Sequence, residues 1–193
     1  MRRAAIAHDD LVGDIYAAGA DPSLWPGVLE RVADHVGATG AMLVRNATPD
    51  EGGLLLSARL RDDLSALYLR CYARNLYSAS FERLPPESVT RASAVPGHVE
   101  VDRTAFHADI LRPQRIDDMF ALTLPGLSSP GKSGGLSVTL TPEQADDRDQ
   151  AFGRFQRIRT HICRAVDLSV TLARRTDPSA HLLEALPSAA ILL

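Results

Sequence analysis

The chain has 193 residues, enough for one ordinary domain with a real core but not for two complete domains. Its hydrophobic fraction of 45% and charged fraction of 23% are those of a soluble globular protein. No apolar run approaches the ~20 residues of a membrane-spanning helix, so no transmembrane segment and no membrane partner is expected. A formal net charge of -3 excludes a nucleic-acid surface as the main feature, because phosphate contacts need a local excess of Lys and Arg.

In chain order, Leu11, Val12, Ile15 and Tyr16, then Leu24, Trp25, Val28, Leu29, Val32 and Val36, recur at three- and four-residue intervals and predict two helices. Asp21-Pro22-Ser23 supplies the break and cap between them, and Gly37 closes the second. Residues 40–46 and 53–58 are short apolar runs separated by Asn, Pro, Asp and Gly, a hairpin vocabulary. Leu64, Leu67, Tyr68, Cys71 and Tyr72 predict a third helix over 61–77. A short strand follows in ESVTRASAV, then a helix over 102–112 that ends before Pro113, with Asp102 as its N-cap. RIDDMFALTL and GGLSVTL predict a second pair of strands, and Thr141-Pro142-Glu143 opens a long helix toward Arg175. Antiparallel strands interrupted by helices define an α+β class, with one sheet, helices on one face and a long C-terminal helix.

Two constellations invite a chemical reading. Gly126 to Ser133, GLSSPGKS, has the spacing of a nucleotide phosphate loop, and Lys132 is the single lysine of the chain. Such a loop works by delivering glycines from a strand to a helix N-terminus, whereas Gly134-Gly135-LSVTL reads as a strand. His98, Glu100, Asp102, His107 and Asp109 gather potential metal ligands, without an HExxH or paired-cysteine spacing. A small nucleotide- or metal-binding enzyme using one of these two stretches is the alternative reading. No GxSxG elbow and no nucleophile triad is visible, so no catalytic residue, resident metal or cofactor is expected.

Tyr68, Tyr72, Tyr77, Phe81, Phe106 and Phe120 are the candidate ligand-binding aromatics, since an apolar cavity with a few tyrosyl groups is how small-molecule sites are built. The alternative is that these residues are simply core, packing helix onto sheet. Phe155, Ile158, Ile162 and Leu172 step along the long helix as a seam for a second copy, or as the stripe that covers the chain's own sheet. Cys71 and Cys163, on two predicted helices, read as buried, reduced thiols of a cytoplasmic protein.

The segments DPSLWPGVLERVADHVGATGAMLV (21–44), YLRCYARN (68–75), FHADILRPQRID (106–117) and HLLEALPSAAILL (181–193) together resemble the N-terminal sensory region of LuxR-type helix-turn-helix transcriptional regulators. The resemblance implies a GAF/PAS-like sensory domain over 1–176, with 177–193 as a linker and the first strand of a truncated second, PAS-like segment. It also implies a homodimer, a small-molecule effector, and promoter DNA bound only through a C-terminal domain absent from this chain. The acyl-homoserine-lactone branch carries an Asp-Pro pair after its aromatic pattern, and Tyr77-Ser78 stands in its place here.

Overall fold

The computed structural model describes residues 8–48, 50 and 53–176. Helix α1 (His8–Ala20) leads to α2 (Trp25–Val36) through a 3-10 turn whose Asp21 carboxylate accepts from the Ser23 amide at 3.0 Å. Gly37, at φ 83°, ends α2 by donating back to the Ala33 carbonyl, a left-handed position that glycine takes without strain. Strands β1 (Gly40–Arg45) and β2 (Leu54–Ala58) form the first hairpin, and β4 (Asp118–Thr123) and β5 (Gly134–Leu140) the second. With the short β3 (Val89–Arg91), they make one antiparallel sheet in the order β2-β1-β5-β4-β3. The fold is α+β, as the alternation of strand and helix patterns led one to expect.

Side chains alternate across a strand, so the register sorts the sheet into two faces. Leu43 pairs with Leu136 and Leu56, Ala41 with Val138, and Phe120 with Val138. These residues point into one core with α1, α2 and the long helix α6 (Arg148–Thr176), which includes Trp25, Phe155, Ile158 and Ile162. The opposite face carries Met42, Val44, Leu55 and Met119 and is roofed by the short helical segments between residues 62 and 114. Helices therefore lie on both faces, which corrects the expectation of helices on one face: the long helices fill one side of the sheet and the short segments between residues 62 and 114 cover the other.

Several boundaries differ for identifiable reasons. The third predicted helix is α3 (Asp62–Leu67) continuing into a wide π turn, Tyr68–Tyr72, before Asn75 starts α4 (Leu76–Phe81) with a capping box. His98–Val101 is a short helix, α5, so His98, Glu100 and Asp102 do not alternate along a strand. The next helical stretch, 105–111, is capped by Thr104, whose hydroxyl accepts from the His107 amide at 3.2 Å, and not by Asp102. Residues Pro142–Asp147 form a 3-10 segment, which delays α6 to Arg148.

The predicted dimer seam is corrected by burial. Phe155, Ile158 and Ile162 are 0% exposed, packed by the chain's own helices and sheet, so their side chains have no surface left for a partner. Leu172, half-buried near the end of the helix, is the exception. The close approach of α1 to α6 has the same origin. A Cβ on Gly19 would stand 2.9 Å from the Ala165 carbonyl oxygen, and Ser169 donates at 2.9 Å to the Gly19 carbonyl. Of the two cysteines, Cys163 is buried, its thiol pushed up to about 12 by burial, whereas Cys71 is exposed and not buried as expected. Residues 177–193, read from sequence as a linker and a first strand, lie outside the described residues.

Candidate functional site

Between the sheet and its roof of short helices lies a cavity with about 730 Å³ of empty space, its open mouth included. The floor exists because the strands place small residues where the other face has large ones. Gly135, Ser137 and Ala121 face the cavity, while their chain neighbours Leu136, Val138, Phe120 and Leu122 fill the opposite core. The roof is apolar and aromatic. Leu64 and Tyr68 come from the α3 segment, Tyr77 and Phe81 from α4, and Phe106, Ile110 and Leu111 from the stretch that ends in the second π turn, His107–Leu111. Both π turns thus sit over the cavity, where such wide turns re-aim side chains at functional sites.

A chain of hydrogen bonds holds the roof to the strand ends. The Tyr68 hydroxyl donates to Asn46 Oδ1 at 2.5 Å, Asn46 Nδ2 donates to Ser133 Oγ at 2.8 Å, and Ser133 Oγ donates to the Ser78 carbonyl at 3.4 Å. Asn75 locks the second strut. Its Oδ1 accepts from the amides of Tyr77 and Ser78, and its Nδ2 donates to the Tyr72 carbonyl at 2.8 Å. Burial pushes the Tyr68 phenol far above its ordinary value, so it remains a neutral donor. Tyr77 is raised for the same reason, with the negative charges of Asp118, Asp102 and Asp117 adding to it. Its hydroxyl is hydrogen-bonded to His98 Nδ1 at 2.8 Å.

One cavity-lining hydroxyl is left over by the protein's own hydrogen bonds. Asn46, Ser78, Asp118, Ser133, Thr139 and Ser169 are buried and all hydrogen-bonded. Ser137, 5% exposed in the middle of the floor, has no hydrogen-bond partner for its hydroxyl among the described residues. A hydroxyl on a cavity wall that the protein leaves unbonded is available to a ligand group or a water.

Four of the six candidate aromatics, Tyr68, Tyr77, Phe81 and Phe106, line this cavity. Tyr72 backs the wall, with its ring 6.0 Å from Phe106 and its hydroxyl bonded to Asp109 on the outside. Phe120 is corrected. Strand alternation turns it to the opposite face, where it packs against Phe152 and Phe155. Sequence reasoning missed Asn46, Asn75, Ser133 and Ser137. The alternation of Gly135, Ser137 and Thr139 with Leu136, Val138 and Leu140 was the signal available for the floor.

The remaining motifs resolve into local structure. Gly126–Ser133 joins β4 to β5 as a hairpin, with Ser129 and Lys132 bridged across the turn and Gly134 already in β5. No helix N-terminus follows the glycines, so the geometry that cradles phosphates is not formed. His107 lies 3.6 Å from Asp102, Asp109 is taken by Tyr72, and His98 by Tyr77. Among the described residues no group of three or more His, Cys, Asp or Glu could hold a metal ion, and no helix is long and apolar enough to cross a membrane.

Fold and cavity together define an α+β protein with a helix-roofed pocket on one face of its sheet. No family model, curated protein or solved structure matches the chain.

Proposed function

We propose that this chain is the sensory and dimerisation region of a cytoplasmic LuxR-type transcriptional regulator, a GAF/PAS-like domain whose cavity binds a small-molecule effector. It performs no catalysis and controls a helix-turn-helix DNA-binding domain that lies beyond this chain. The observation that carries the reading is the cavity itself, an apolar chamber with a few convergent polar groups, under a roof tied down by a short series of hydrogen bonds. Helix α6 supports it from the other side. It packs on the opposite face of the same sheet, so a displacement of the floor strands reaches a 29-residue element that runs toward the C-terminal end. Two copies associate in this reading through a surface other than the buried stripe of Phe155, Ile158 and Ile162.

The test is the coding DNA downstream of Leu193. An in-frame helix-turn-helix region supports the regulator reading, and a stop codon directly after Leu193 overturns it.

A further inference from the structure

We propose that the cavity selects for uncharged ligands, taking an apolar molecule that carries one neutral polar group and rejecting the matching anion or cation. This rests on the reading of the cavity as an effector site. In a chain of which 23% is charged, no Asp, Glu, Lys, Arg or His among the described residues lines the cavity. Three charged groups that flank wall residues in sequence are held by partners of their own. Asp118, next to Met119, is held by Ser93 and Arg148; Asp109, next to Ile110, is held by Tyr72; and Arg45, next to Val44 and Asn46, reaches Ser129.

The polar groups that do line the wall are mostly committed. Asn46, Asn75 and Ser133 belong to the roof ties, Gln114 bridges the Ile110 carbonyl and the Arg61 amide, and Thr123 bonds the Pro85 carbonyl. What remains is hydroxyl capacity at Ser137 on the floor and Ser65 on the roof, for neither of which a hydrogen bond is found within the described residues. Two hydroxyls satisfy an amide, ester, ketone or alcohol, but they cannot offset the desolvation of a buried ion.

Calorimetry with octanamide, octan-1-ol and octanoate tests this, because the three share a chain and differ in the head group. Octanamide and octan-1-ol should bind at pH 7, and octanoate should bind ~100-fold more weakly or worse, given the cost of burying an unpaired carboxylate. The apparent affinity of octanoate should then rise about tenfold per pH unit as its neutral acid accumulates. Ala121→Leu, which fills the floor, should abolish octanamide binding without lowering the melting temperature, with Ala121→Val as the smaller step if the leucine is not accommodated. Octanoate binding as tightly as octanamide would overturn the charge selection and leave the cavity reading standing. Binding of none of the three overturns both, and octanamide binding that survives in the folded Ala121 variants places the ligand elsewhere and overturns the proposal.

Discussion

The two faces of the sheet are made by the same strands and differ in almost everything else. Toward α1, α2 and α6 the strands present Ala41, Leu43, Leu56, Phe120, Leu122, Leu136, Val138 and Leu140, and the space is filled. Toward the roof, one residue along in each case, they present Met42, Val44, Met119, Ala121, Gly135 and Ser137, and space is left. The lesson is that one period-2 pattern divides the work: one face gives the domain its stability, and the other gives up packing to hold a cavity. The dry face holds a polar side chain only where it is hydrogen-bonded, as Ser169 is to the Gly19 carbonyl, whereas the roof of the cavity face is fixed by Tyr68, Asn46, Asn75 and Ser133.

The largest expected effect breaks the dry face. Ile162→Asp places a carboxylate among the buried hydrophobic side chains of the α1, α2 and α6 core, Phe155 and Ile158 included. The cost of an unpaired buried carboxylate, several kcal/mol, is roughly the whole stability of a domain, so circular dichroism should show an unfolded chain. A folded monomer or dimer would show that this face is not dry. A sharper comparison uses adjacent residues of β5. Leu136→Ala should lower stability by about 2–5 kcal/mol in chemical denaturation, because it opens a hole in a filled core. Ser137→Ala should be nearly neutral or slightly stabilising, since it removes an unpaired hydroxyl rather than a bond. Equal losses at the two positions would erase the distinction between the faces.

Much of the dry face was legible in the sequence. The three- and four-residue periods of α1, α2 and α6, and the alternation in GGLSVTL, each report a local geometry that survives folding. Whether Ile162 faces its own sheet or a partner could not be read, because an apolar stripe has the same period in both cases. The cavity was half legible. Tyr68, Tyr77, Phe81 and Phe106 stood out by type, but Phe120 was drawn in with them because residue type does not say which face of the strand a side chain takes. Asn46, Ser133 and Asn75 were invisible for another reason: Asn46 and Ser133 are 87 residues apart, and only the pairing of β1 with β5 brings them within 2.8 Å.

The smallest expected effect tests the outer rim of the dry face, where α1, α2 and α6 meet. His35 at the end of α2 has its ring centroid 5.7 Å from that of His8, and His8 is 6.2 Å from His161, which is bonded to the Tyr16 hydroxyl. Burial lowers the His35 pKa first, and His8, Arg154 and Arg157 lower it further by like charge. With the folded value below the unfolded one near ~6.5, the unfolded chain binds more protons in the window below ~6.5. Stability is therefore intact above that range and is lost as pH falls through it toward the folded value. Urea midpoints taken between pH 7.5 and 5.5 should decline on acidification, and His35→Gln should flatten that decline while leaving the midpoint at pH 7.5 little changed. The cavity face supplies the control, since no histidine among the described residues lines it: octanamide affinity should stay flat over the interval in which the midpoint of the wild-type chain falls. A decline that persists unchanged in the glutamine variant would assign the acid sensitivity to another group and remove this weak point from the dry face.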